Sequence, residues 1–146
     1  TTLADWPNVL ELTRRNVERM GLAERATDRP GDIFEADLGG PYDLVVASHI
    51  FHHFSEERCL ELLRRLHDAL RPGGRLAIND FMAAGPPAEQ PFPFLFSVMM
   101  LTWTREGEAY PLATYRRLVR EAGFGRVEAH PGIGMPSTVL VADREE

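Results

Sequence analysis

Three histidines, His49, His52 and His53, fall directly after the apolar run Tyr42-Asp43-Leu44-Val45-Val46-Ala47-Ser48. Imidazole is the side chain most easily tuned to take a proton near neutral pH. A short β-branched run of this kind reads as a buried strand of a parallel sheet. In open α/β sheets the ligand site lies at the carboxyl ends of the strands. The histidine loop therefore stands where such folds do chemistry, and general-base catalysis is the chemistry it suits. The cluster lacks paired cysteines and clear ligand spacing, so no metal is expected.

The elements that must hold this loop follow from periodicity. Residues 1–5 look like the end of a strand. Pro7 suits the first helical position, where it has no N–H to lose. Val9, Leu10, Thr13, Val17 and Met20 recur at helical spacing, and Gly21 stops the helix. A short strand is expected near Arg25 to Asp28, followed by Gly31-Asp32-Ile33-Phe34. Gly39-Gly40-Pro41 punctuates a turn before the strongest strand, residues 42–48. Ser55 is placed to cap the next helix, with Cys59, Leu62, Leu63, Leu66 and Leu70 on its buried face. Arg71-Pro72-Gly73-Gly74 turns the chain into a strand over residues 76–81.

Residues 83–93 read as a loop, and Phe94 to Trp103 as an apolar helix. Pro111 opens a further helix with Leu112, Tyr115, Leu118, Val119 and Ala122 on one face, closed by Gly123. Two closing strands are expected at residues 124–129 and 137–142. Pro131-Gly132-Ile133-Gly134 joins them and is too short for a parallel crossover, so the pair should be antiparallel. The order of elements argues for a single α/β domain over residues 1–146. Right-handed crossovers would place helices on both faces of a mostly parallel sheet.

Composition narrows the class. The 146 residues suffice for a real core, and 44% apolar with 26% charged residues is ordinary for a soluble globular protein. The net charge of -6 leaves no footprint for nucleic acid. No secretory segment or membrane-spanning run is present. The one cysteine, Cys59, cannot form an internal disulfide, which points to a reducing, cytoplasmic setting. It lies on an apolar helical stripe and reads as a small core residue.

Several motifs together resemble the catalytic domain of class I S-adenosylmethionine-dependent methyltransferases, and among these the small-molecule O-methyltransferases. They are Asp5-Trp6-Pro7 after a strand, Gly31-Asp32-Ile33-Phe34, and His49-Ile50-Phe51-His52-His53-Phe54-Ser55-Glu56-Glu57. Leu70-Arg71-Pro72-Gly73-Gly74-Arg75-Leu76 and Glu121-Ala122-Gly123-Phe124 complete the set. The resemblance covers nearly the whole chain and implies a Rossmann-like sheet. The family's glycine-rich cofactor loop would fall before Thr1, so the domain is expected to be truncated at its N-terminus. The helical dimerisation domain of the family is also absent.

The resemblance implies S-adenosylmethionine as cofactor and a small hydroxylated acceptor, with S-adenosylhomocysteine as product. Asp5 would accept hydrogen bonds from both ribose hydroxyls, and Trp6 would flank the adenine. Asp32 would hold the exocyclic amine and Ile33 the ring, while Ser48 and His49 would contact the methionine part. His52 aligns with the catalytic base, and Asp80 and Glu108 match the two carboxylates that flank it. Read on their own, these residues have plainer roles. Asp5 is favoured near a helix N-terminus, Asp32 suits a turn, Ser48 can bond backbone, and His52 can cap a helix.

Phe92, Phe94, Phe96, Met99, Met100 and Trp103 would line an aromatic pocket, or else serve as core or interface. A homodimer is expected. The alternative is a catalytically inactive, truncated methyltransferase-fold module that self-associates. C- or N-methylation, which need not use His52 as a base, is a third reading.

Overall fold

The computed structural model describes residues 1–132 and 135–145, and the chain divides into two compact units, Thr1–Gly39 and Gly40–Glu146. In the first unit β1 (Thr2–Asp5) pairs in parallel with β2 (Thr27–Pro30), from Thr2 against Thr27 to Asp5 against Pro30. The helix between them, α1 (Pro7–Arg19), starts with Pro7 in its first turn. It ends as the sequence predicts. Gly21 takes φ +68°, its N–H donates to the Glu18 carbonyl, and the Leu22 N–H donates to that of Val17. These two bonds satisfy carbonyls that a helix end leaves open.

Two expectations shift in this unit. The strand expected from Arg25 starts at Thr27, because Ala23–Arg25 forms a short helical turn first. The expected apolar face of α1 is buried only at Leu10, whereas Val9 and Met20 are exposed. A two-stranded sheet offers too narrow a surface to cover a thirteen-residue helix face.

The second unit is a four-stranded sheet in the order β3-β4-β6-β5. Its elements are β3 (Tyr42–Ser48), α2 (Glu56–Ala69), β4 (Leu70–Asp80), α3 (Pro91–Trp103), α4 (Leu112–Glu121), β5 (Val127–Pro131) and β6 (Thr138–Asp143). β3 and β4 are parallel, and β6 runs antiparallel to both β4 and β5. The closing pair is thus antiparallel, as its short connection requires. Residues 133 and 134 of that connection lie outside the described residues.

The core follows from alternation along the strands. Leu76 and Ile78 of β4 pair with Ala142 and Leu140 of β6, and all four are fully buried. Cys59, Leu62, Leu63 and Leu66 of α2 and Tyr115, Leu118 and Val119 of α4 are buried with them. Helices α2 and α4 pack on each other, α2 on β4 and α4 on β5. Ser55 stands at the start of α2, but its side chain makes no capping bond there. Its carbonyl accepts the Cys59 N–H, and Glu56 and Glu57 supply negative charge to the first turn.

Here too the structure differs from expectation. β3 is an edge strand, and one of its faces, carrying Leu44 (54% exposed) and Val46 (64%), has no cover within this unit. Arg71 to Gly74 does not end a helix in a free turn. β4 already starts at Leu70, and the register shifts between Tyr42 and Leu44 to absorb the extra residues. A side chain at Gly74 would crowd the carbonyls of Arg71 and Tyr42. Helix α3 begins at Pro91, inside the expected loop. It is apolar all round, yet only Pro93 and Met100 are buried. No helix among the described residues is long and apolar enough to cross a membrane.

Candidate active site

A single helical turn, Phe51–His53, follows β3 and buries the side chains of Phe51 and His52 while His53 stays exposed. Phe51 is fully buried, meets Tyr115 edge-on, and accepts a hydrogen bond from the Cys59 thiol at its carbonyl. This anchor turns the next residue, His52, into the same interior, where it is 4% exposed. Asp80 closes β4, the strand beside β3, and is 1% exposed. His52 Nδ1 lies 2.6 Å from Asp80 Oδ1. The Phe81 N–H donates to Oδ1 at 2.8 Å, and the Tyr115 hydroxyl donates to Oδ2 at 2.9 Å.

These bonds set the charge. Burial pushes the Asp80 carboxyl up. The hydrogen bond and charge of His52, the Phe81 N–H and the Tyr115 hydroxyl outweigh it and hold the group below its ordinary value. An ionised carboxylate only accepts, so Nδ1 of His52 carries the shared proton. Nε2 of the neutral ring is then the nitrogen left to take one. Tyr115 is buried, and burial followed by the Asp80 charge drives its hydroxyl well above the usual range, so it remains a donor.

His49 sits at the left-handed φ of +54°, rare for a residue with a side chain. Its N–H donates to the Asn79 carbonyl at 2.9 Å. The Asn79 amide reaches both Ser48 Oγ and His49 Nε2 at 3.2 Å, so this polar pair is tied to the carboxyl end of β3. His49 Nδ1 is buried without a hydrogen-bond partner, 3.9 Å from Asp80 Oδ1. One ligand atom each from His49, His52 and Asp80 lies within 4.8 Å of the others. Both lone pairs of Asp80 Oδ1 are already used, by His52 and by the Phe81 N–H. That fits an oriented base better than a metal ligand set.

An aromatic wall stands beside the imidazole. Phe96 meets His52 edge-on at 4.8 Å between ring centres, and Phe81 bridges Phe96 (4.6 Å) and Phe92 (4.9 Å). Of the expected pocket residues Met100 is buried, while Met99 and Trp103 are exposed. His53 packs 4.4 Å from His52, and burial, followed by the charge of His52, pulls its pKa down against a smaller opposing effect of Asp80.

Glu108 does not join the dyad. Its side chain is exposed, and it makes no hydrogen bond or ion pair with His52 among the described residues. What approaches the histidine loop from this segment is backbone: a side chain at Gly107 would collide with the His52 carbonyl and the Thr104 hydroxyl. The second oxygen of Asp80 is satisfied by a residue that was not expected at the site, Tyr115. Periodicity placed Tyr115 only on the buried face of α4. The available signal was its polar tip on an otherwise aliphatic stripe, since a buried phenol seeks a partner.

In the first unit Asp5 ends β1, opposite Pro30, and the Gly31 N–H donates to its carbonyl at 3.1 Å. Asp5 and Asp32 therefore stand at the same carboxyl end of the two parallel strands. Asp5 is exposed and accepts the Trp6 N–H on one oxygen, leaving the other open to a hydroxyl donor. Trp6 is 54% exposed. Asp32 accepts the Phe34 N–H on one oxygen and so also serves as a turn residue, with Ile33 half-buried beside it.

Comparison with known proteins shows the family and the fold. The O-methyltransferase domain family matches residues 1–125. Acetylserotonin O-methyltransferase of Mus musculus is 32% identical over 130 residues, which span 86% of this chain and 33% of that protein. The chain thus covers about a third of that relative's length. A solved structure of a candidate O-methyltransferase from Nostoc punctiforme superposes with a TM-score of 0.93 at 34% identity, covering 97% of this chain and 44% of that one. PigF, an S-adenosyl-L-methionine-dependent methyltransferase of Serratia solved with SAH, superposes with a TM-score of 0.86 at 25% identity, over 99% and 43% of the two chains. With the family matching most of its length and the α/β architecture shared with these structures, the chain belongs to the O-methyltransferase domain family.

Proposed function

We propose that this protein transfers a methyl group from S-adenosylmethionine to a hydroxyl of a small aromatic or polyketide-like acceptor, with His52 as general base. The observation that carries this reading is the buried 2.6 Å contact between His52 Nδ1 and Asp80 Oδ1. It leaves Nε2 as the basic nitrogen at the carboxyl ends of β3 and β4, against an aromatic wall. When bound, the cofactor supplies the methyl group on a sulfonium, with a good leaving group already in place. The acceptor oxygen needs only to lose its proton. His52 Nε2 would take that proton from the acceptor oxygen and later yield it to solvent. A positioned base of this kind contributes roughly 10²–10⁴-fold.

Asp5 and Trp6 are assigned to the ribose and adenine, Asp32 and Ile33 to the adenine, and Ser48 and His49 to the methionine part. The exposed carboxylate of Asp5, with an oxygen free for hydroxyl donors, suits the first role. His49, with its side chain 35% exposed at the carboxyl end of β3, suits contact with a ligand there. The relatives support the class of acceptor and cofactor: one is named for acetylserotonin, and another was solved with SAH.

The test is transfer of labelled methyl from S-adenosylmethionine to a panel of phenols, with wild-type protein and His52→Asn. Expected is O-methylated product, reduced roughly 10²–10⁴-fold in the variant with S-adenosylhomocysteine binding kept. A variant as active as wild type would remove His52 from the role of base.

One observation favours a second reading, a self-associating module without turnover. Leu95, Val98, Leu101 and Trp103 of α3 are between 61% and 77% exposed. Apolar surface of this kind marks an interaction site. Sedimentation with and without Leu101→Glu distinguishes the two: a dimer that dissociates in the variant, together with no methyl transfer in wild type, would favour the module.

A further inference from the structure

We infer that Tyr115 is a positioning residue for the proposed base, acting on His52 through Asp80. The inference rests on the reading of His52 as general base but is tested without turnover.

Three groups hold the Asp80 carboxylate, and two of them share one oxygen. His52 and the Phe81 N–H both engage Oδ1, at 2.6 and 2.8 Å. Only the Tyr115 hydroxyl, at 2.9 Å, engages Oδ2 among the described residues. A carboxylate held by one oxygen can rotate about its Cβ–Cγ bond. Held at both, it keeps Oδ1 facing Nδ1. The phenol can do this because it is itself fixed. Tyr115 is 2% exposed on α4, wedged edge-on against Phe51 at 6.1 Å and Tyr110 at 6.3 Å. Phe51 belongs to the same helical turn as His52. One aromatic side chain thus sets both the backbone turn that presents the imidazole and the carboxylate that orients it.

There is also an electrostatic part. A carboxylate in an apolar interior resists ionisation unless donors stabilise the charge. Tyr115 is the side-chain donor in this set other than His52 itself. It supports the anion without competing for the Nδ1 proton. Removing the hydroxyl while keeping the ring therefore loosens the carboxylate and lets the imidazole populate its other tautomer, with the proton on Nε2. That tautomer has no base where the acceptor would lie.

The experiment is nitrogen and proton NMR of the His52 ring in the full chain, for wild type, Tyr115→Phe, Asp80→Asn and the double variant. Wild type should show one tautomer, protonated at Nδ1. Tyr115→Phe should show a mixture, and in the Asp80→Asn background it should change nothing further. An unchanged tautomer in Tyr115→Phe, or an equal effect of that substitution without the carboxylate, would overturn the inference. Should Tyr115→Phe not fold, fluorotyrosine is incorporated into wild type. The stronger phenol donor should draw charge from Asp80 and move the Nδ1 proton resonance upfield, and an unmoved resonance would again overturn the inference. Methyl transfer read in parallel should fall about 10- to 100-fold in Tyr115→Phe. Full activity of His52→Asn would refute the base itself and leave the NMR result standing on its own.

Discussion

His52 Nδ1 lies 2.6 Å from Asp80 Oδ1, and neither residue is more than 4% exposed. His52 lies in the turn just after β3 and Asp80 closes β4, twenty-eight positions on, and they meet because β3 and β4 are neighbours that end together. Ser48 pairs with Asn79 at the last rung, so the residues just beyond it share one rim.

Replacing the carboxylate by an amide probes this pair most directly. Asp80→Asn retains the shape but can present a donor to Nδ1, and the imidazole then favours the wrong tautomer. The analogous change at the orienting acid of a serine protease costs about 10⁴-fold. We expect a loss of roughly 10²–10⁴-fold in methyl transfer, with cofactor affinity unchanged. Steady-state rates and calorimetric titration with S-adenosylhomocysteine check both halves.

Stability should depend on pH through the same carboxylate. Its folded-state pKa lies below the ordinary value, so the unfolded chain binds the proton more readily. The stabilisation is fully present above the ordinary carboxylate range and is lost as pH falls through the depressed folded value. Thermal unfolding between pH 7 and pH 3 should show wild type losing more stability than Asp80→Asn on acidification. Parallel curves for the two proteins would contradict this.

Cys59 should be inert. Burial, followed by the charges of Asp80 and Glu56, pushes its thiol up to about 12, and the side chain is 1% exposed. The thiolate is the reactive form, so alkylation by iodoacetamide at pH 8 should be far slower in the folded protein than in urea. Mass spectrometry over time reads the difference, and equal rates would mean that α2 does not pack as described.

Gly107→Ala should damage the site without touching a functional side chain. A side chain there meets the His52 carbonyl and the Thr104 hydroxyl, and the Gly107 N–H already donates to that hydroxyl at 2.8 Å. Overpacking of this kind costs about 1–3 kcal/mol. Urea unfolding should show that loss. An unaltered midpoint would mean that residues 104–107 do not back the histidine turn.

Much of the architecture was legible along the chain. Residues 42–48, the apolar stripe of α2 and the pair Pro7 and Gly21 are local signals, set by periodicity and by backbone chemistry that neighbouring residues carry themselves. The histidine loop with His52 could be singled out because the end of a strand can be read from where its apolar run stops, whereas Asp5, Asp32 and Asp80 were marked by the resemblance.

Other features depend on packing between distant segments. The exposed face of β3 follows from the absence of a covering element within its unit, which periodicity does not report. Glu108 and Tyr115 are separated by seven positions, and the resemblance implied Glu108 as the second carboxylate flanking His52. Tertiary structure leaves Glu108 in solvent and brings a phenol to Asp80 instead, because α4 lies on α2 and carries Tyr115 into the interior. A buried carboxylate takes whichever donor the surrounding helices bring within reach, and that is decided by the assembly of elements rather than by any one of them.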